Sequence, residues 1–205
     1  MTEEPDQPAP AQDEVAAVVD YFFEAGTLKR LLRTGWLNAG IKHPETIAEH
    51  SHRTGLIGAV LAVMEGADPA KVAFMGVVHD TQETRVGDIA YIGRRYLTAA
   101  GNREVTGDQT AGAPAAVREA LAAIVDEIES YETKESIIHR DADKLECLFQ
   151  AIEYRETGNA NMQQFYDSML GDLVTASAQR IATTAIRTSS QDWHLRKFPS
   201  NGDHT

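Results

Sequence analysis

The chain has 205 residues, enough for one domain of ordinary size with a sizeable core. Hydrophobic residues make up 42% and charged residues 24%, and the formal charge of -12 argues against a nucleic-acid polymer as partner, since that needs clustered basic surface. The single cysteine, Cys147, excludes an internal disulfide framework and any cysteine-based zinc cluster. A small phosphorylated ligand stays compatible with the acidic balance, because one bound cation reverses the field inside a pocket.

The first residues, MTEEPDQPAPAQDE, are acidic and proline-rich, unlike a secretory or transit peptide, and no apolar run reaches transmembrane length. The expectation is a cytoplasmic protein without membrane attachment. Residues 1–12 read as a disordered leader, 13–188 as one domain and 189–205 as a polar tail. Val15, Val18, Val19 and Phe22 predict a helix over Glu14–Ala25, stopped by Gly26, with a short helix near Leu28–Leu32 to follow. Gly35, Gly40 and Pro44 make Thr34–Thr46 read as a loop. Thr46 and Glu49 form a capping box that starts a helix to about Met64. Asp68-Pro69 is an N-cap with proline at the first helical position, opening a helix to about His79.

A long connection over 84–113, rich in glycine, holds at most one short helix. Pro114 opens a helix to Tyr131, and another runs from Lys134 to Thr157, ending at Gly158-Asn159. Two more cover Met162–Leu170 and Leu173–Thr188. With no alternating strand pattern and no repeat, the fold class is all-α, a bundle of six or seven helices.

Three groups of polar residues could carry chemistry. His79-Asp80 follows the apolar run Val72–Val78, so two ligating side chains emerge at the end of a buried element and need strong partners there. His50 lies on a stripe with Thr54, Ile57, Leu61 and Met64, but His52 has an equally apolar row in Leu56, Ala59 and Val63. Periodicity does not choose between them. Asp141 and Asp143 likewise both border apolar rows on one helix, and helical angle does not separate them.

The order His…His-Asp…Asp over three helices resembles the signature of the HD-domain metallohydrolases. Within that superfamily the chain is similar to the 5′-deoxynucleotidase branch, the YfbR-like and HDDC2-like proteins. The match is carried by Arg33-Thr34-Gly35-Trp36, Pro44-Glu45, Glu49-His50-Ser51 and Val78-His79-Asp80-Thr81-Gln82-Glu83. Val86-Gly87-Asp88-Ile89, Asp143-Lys144-x-Glu146, Gln150-Ala151-x-Glu153-Tyr154 and Phe165-Tyr166-Asp167-Ser168 continue it over residues 14–185.

The resemblance implies a primary metal on His50, His79, Asp80 and Asp143, the last preferred to Asp141 for its distance from Gln150-Ala151. It implies Glu83 as the proton-transfer residue or a ligand of a second cation. Asp88 and the carbonyl of Ile89 would complete that second site, or Asp88 would contact the sugar. Arg33 corresponds to a phosphate-binding arginine and Trp36 to an aromatic pocket wall, while His52 has no matching role. The implied activity is hydrolysis of (deoxy)ribonucleoside 5′-monophosphates by a hydroxide held on a divalent ion. Manganese, cobalt, iron, nickel or zinc suits that donor set, and magnesium an all-oxygen second site. Family precedent implies a homodimer. The competing readings are a nucleoside di- or triphosphate phosphohydrolase and a nucleotide-binding sensor without turnover.

Overall fold

The structure, a computed structural model, describes residues 11–196. Eleven α-helical segments and two 3-10 turns account for its regular structure, and the described residues contain no sheet, only an isolated bridge between Leu32 and Thr46. The all-α expectation holds, but six or seven helices was too few. The excess consists largely of short segments that hydrophobic periodicity cannot reveal, since a four-residue helix has no repeat to read.

Helix α1 spans Gln12–Ala25 and passes through a 3-10 turn, Gly26–Lys29, where the short helix near Leu28–Leu32 was expected. The predicted loop over Thr34–Thr46 begins with a five-residue helix, α2, Thr34–Asn38. Helices α3 (Ile47–Glu65) and α4 (Pro69–Val78) start where their capping residues predict: Thr46 Oγ1 accepts from Glu49 N–H, and Asp68 accepts from Ala70 and Lys71. The long connection is more ordered than its glycines suggest. It holds α5 (Glu83–Val86), a 3-10 turn at Gly93–Arg95 and α6 (Asn102–Gln109). Then come α7 (Ala115–Ser130), α8 (Lys134–Glu156), α9 (Gln163–Asp172), α10 (Ala176–Ala185) and α11 (Asp192–Leu195). The last lies within the stretch read as a polar tail; residues 1–10 of the expected leader and 197–205 of the tail fall outside the described part.

The central element is α8. Ile138, Ala142, Leu145, Leu148, Ala151 and Ile152 are buried along it against Leu61 and Ala62 of α3, Val72 of α4 and Ala178 and Ala182 of α10. A second cluster packs Met75 and Val78 of α4 against Leu121, Ile124, Val125 and Ile128 of α7. Helices α3 and α4 touch backbone to backbone: a Cβ on Gly76 would stand 2.5 Å from Gly55 Cα and 2.6 Å from Gly55 N. Only glycine permits that approach. It brings the start of α3, the end of α4 and the middle of α8 to one place.

Candidate metal centre

His50 is 0% exposed in the first turns of α3, while His52, two residues on, faces solvent. The glycine contact between α3 and α4 places His79, at the C-terminal end of α4, opposite it, with Nε2 atoms 3.3 Å apart. Asp80 Oδ2 lies 3.1 Å from His79 Nε2 and 3.8 Å from His50 Nε2. One donor atom from each of His50, His79 and Asp80 lies within 4.8 Å of the others. Asp143 Oδ1 of α8 stands 3.1 Å from His50 Nε2, on the rim of the same group.

The orientation of the two imidazoles has a specific cause. His50 Nδ1 is 2.5 Å from Glu146 Oε2, and His79 Nδ1 is 2.9 Å from the Gly76 carbonyl. Both partners only accept, so both Nδ1 atoms carry hydrogen and both Nε2 atoms face inward. Two bare Nε2 lone pairs 3.3 Å apart would repel, so a positive charge, a proton or a metal ion, belongs between them. Without an ion a proton on His50 meets that demand: burial and the nearby Arg33 cation work against its charged form, yet Asp143 and Glu146 outweigh them and push its pKa up to about 10. Asp143 is held well below the usual carboxylate range, against its burial, by the two histidines and Arg33. Imidazole, imidazole and carboxylates converging around one point form a donor set for a divalent transition ion. The residues fit a cation.

Glu146, which sequence reasoning quoted without a role, is the support of this arrangement. It is 0% exposed, and its second oxygen accepts from Arg53 Nε at 2.9 Å. Arg53 is tied in turn to Glu153 at 2.7 Å and Gln150 at 2.8 Å. Such a carboxylate behind a histidine fixes the ring's tautomer and angle. His139 was also missed. Four residues before Asp143 and 4% exposed, it stands edge-on to His79 with ring centroids 5.0 Å apart. Its one sequence signal was the i, i+4 spacing to an acidic candidate.

Asp141 is placed elsewhere. Its Oδ1 accepts from Val174 N–H at 2.9 Å, and its Oδ2 accepts from the N–H and the hydroxyl of Thr175, both at 2.7 Å. It anchors the start of α10, and only Asp143 of the acidic pair reaches the histidines.

Beside the cluster opens a cavity of about 510 Å³ lined by Arg33, Trp36, Glu83, Asp88, Phe165 and Met169 among others. Trp36 is 3% exposed, its ring 4.7 Å from Phe165 and 5.3 Å from Tyr154, and its Nε1 donates to Glu45 at 2.8 Å. Arg33 Nη1 donates to Asp80 Oδ2 at 3.3 Å, which aims the guanidinium at the cluster. Glu83 has a buried oxygen, Oε2, with no partner, and burial together with Asp80 and Asp88 pushes its pKa up to about 8. The Asp88 carboxylate accepts from Thr34 N–H at 2.6 Å, and the Asp88 carbonyl accepts from the Thr34 hydroxyl at 2.9 Å. Asp88 thereby pins the start of α2, between Arg33 and Trp36. The Ile89 carbonyl accepts from Arg94 Nε at 3.3 Å. Two of the three donors expected around a second cation are therefore engaged within the chain, and among the described residues Glu83 and Asp88 join no cluster of three ligating side chains.

Comparison with known proteins agrees with this geometry. A model of the HD domain matches residues 25–182. The chain belongs to the HD-domain family. It is 29% identical over 171 residues to the 5′-deoxynucleotidase HDDC2 of Dictyostelium discoideum, covering 75% of this chain and 88% of that one. The mouse 5′-deoxynucleotidase HDDC2 is 28% identical over 160 residues, 76% of this chain and 80% of its own. Among solved structures, a conserved hypothetical protein from Pyrococcus furiosus superposes with a TM-score of 0.69 at 28% identity, over 83% of this chain and 99% of that one.

Proposed function

We propose that this HD-domain protein is a metal-dependent 5′-nucleotidase that hydrolyses (deoxy)ribonucleoside 5′-monophosphates to nucleoside and phosphate. The observation that carries the reading is the pair of inward-facing imidazole Nε2 atoms beside two carboxylates, on the floor of an aromatic-walled cavity. The 5′-deoxynucleotidase activity of the HDDC2 relatives supports the same reaction. His50, His79, Asp80 and Asp143 would hold the ion, one of manganese, cobalt, iron, nickel or zinc. When bound, it supplies Lewis acidity, neutralising phosphate charge and lowering the pKa of the attacking water.

The chain's own residues do the rest. Arg33 offers a planar fork to the phosphate oxygens, and Trp36 with Phe165 provides an apolar wall for the base. Asp88 is a positioning residue, holding Thr34 and so the angle of Arg33 and Trp36. Glu83, whose carboxyl pKa burial raises above the usual range, would carry the proton given to the departing 5′ oxygen, and we assign it proton transfer. No helix among the described residues is long and apolar enough to cross a membrane. The reading includes a cytoplasmic setting and a homodimer. Leu56, Val60 and Val63 of α3 and Phe74 and Val77 of α4 are exposed on packed helices, and a second copy would cover them.

The test is a panel of nucleoside mono-, di- and triphosphates with the protein loaded with manganese or cobalt, assayed for phosphate, pyrophosphate and triphosphate release. Metal-stimulated orthophosphate release from monophosphates is expected; no release from any nucleotide rejects the proposal. Light scattering reads the oligomeric state.

A further inference from the structure

Arg33 and Trp36, the residues proposed to grip the nucleotide, are both bonded to a third that lies outside their cavity. Glu45 is not among the residues lining it; with Tyr154 it lines a different cavity, of about 710 Å³, that includes none of His50, His79, Asp80 and Asp143. The Glu45 carboxylate Oε1 accepts from the indole Nε1 of Trp36 at 2.8 Å. Its carbonyl accepts from Arg33 N–H at 3.1 Å, in the antiparallel run that also joins Ile47 N–H to the Leu31 carbonyl at 2.9 Å. Its own N–H donates to the Tyr154 hydroxyl at 2.8 Å, and the Tyr154 ring meets Trp36 edge-on. A buried indole N–H needs an acceptor, and Trp36 is 3% exposed. The outer torsion of tryptophan is broad, so the bond at Nε1, with Phe165 and Tyr154 packed on the ring, selects one ring plane. Burial and the charge of Glu146 push the Glu45 pKa up to about 7, and either protonation state leaves an oxygen to accept.

We propose that Glu45 is a positioning residue: its side chain sets the plane of Trp36 and its main chain holds Arg33, so that base wall and phosphate fork keep one separation. The consequence is discrimination. A nucleotide is held by base and phosphate together, whereas a sugar phosphate without a base gains nothing from the plane of Trp36. Glutamine at position 45 keeps an acceptor for the indole and alanine removes it, while neither alters the main-chain bond to Arg33. The discrimination between nucleotide and sugar phosphate rests on the proposed function; the hold of Glu45 on Trp36 does not.

Two measurements on the full chain separate these points. The first compares KM for a deoxynucleoside 5′-monophosphate with the inhibition constant of deoxyribose 5-phosphate, on manganese-loaded protein. Glu45→Ala should raise KM for the nucleotide about tenfold, with a smaller effect on kcat, and shift the inhibition constant far less. Glu45→Gln should stay within about twofold of wild type in both. Trp36→Phe should raise KM by itself, and adding Glu45→Ala to it should change nothing further, because the indole donor is already gone. A loss shared equally by both ligands marks a general structural defect and overturns the proposal, as does an unchanged KM in Glu45→Ala.

The second needs no turnover. The chain has two tryptophans, and Trp193 is 63% exposed on α11, so in a Trp193→Phe background the emission belongs to Trp36. Emission and acrylamide quenching of the nucleotide-free protein then read the hold on its ring. Glu45→Ala should move the emission to longer wavelength and raise the quenching constant, and Glu45→Gln should match the parent. If Glu45→Ala does not fold, Tyr154→Phe, which frees the Glu45 N–H and keeps the ring, should move both readouts the same way. Identical emission and quenching in the variants overturn the positioning role. A wild type that hydrolyses no nucleotide rejects the proposed function, and the fluorescence then decides the role of Glu45 by itself.

Discussion

Replacing Glu146 by alanine tests whether the metal centre depends on a residue that never touches the metal. Glu146 is fully buried between His50 and Arg53, accepting from Nδ1 of one and Nε of the other. Truncation strands a buried donor on His50 and a half-buried one on Arg53, the first costing about 1–3 kcal/mol and the second less. That sum agrees with the roughly 3–5 kcal/mol typical of breaking a buried ion pair. For a chain of this size the loss corresponds to a fall in Tm of about 10 °C. The specific consequence concerns His50, whose ring would be free to turn its lone pair away. Metal affinity should then drop by roughly 10–100-fold, the usual effect of losing a carboxylate behind a metal-bound histidine.

Glu146→Gln separates the two effects. It keeps the volume and one acceptor, so stability should fall less, while its amide faces one of the two donors and the tautomer is no longer imposed. Thermal unfolding in chelator gives the first quantity, and isothermal titration with manganese gives the second. A Glu146→Gln protein that binds metal within twofold of wild type would refute the reasoning, whatever its Tm.

Gly76→Ala should push α4 off α3, because its Cβ would meet the Gly55 backbone. A stability loss of about 1–3 kcal/mol or more is expected from overpacking, with weaker metal binding, read by denaturant unfolding and metal titration. Asp143→Ala should weaken metal binding and leave the fold intact. Asp141→Ala should instead destabilise by about 1–3 kcal/mol through the lost anchor of α10, with metal bound at the folded protein's usual stoichiometry. Opposite results would exchange the roles of the two aspartates. Glu83→Gln should lower kcat by about 10²–10⁴-fold with metal content unchanged, as expected for loss of a proton donor; loss of metal on this substitution would make Glu83 a ligand.

How far the sequence carries depends on whether the information is local. Helix starts at Thr46–Glu49 and Asp68-Pro69 were legible because capping is settled within four residues. The long helices were legible because burial on one face imposes a 3.6-residue period. The order of motifs was enough to indicate the HD-domain family. Short helices such as α2 and α5 were not legible, for their stability comes from neighbours, as when Asp88 caps Thr34 from 54 positions away.

Pairs of equivalent candidates were the other limit. His50 and His52, like Asp141 and Asp143, each border apolar rows, so helical periodicity alone left both choices open and the family motif chose. The glycine-to-glycine contact of α3 with α4 turns His50 inward, and the start of α10 claims Asp141. The same packing decided what no motif described: Glu146 behind His50, and His139 edge-on to His79. The kinds of donor available were written in the chain. Which of them share a point in space depended on how close α3, α4 and α8 could approach.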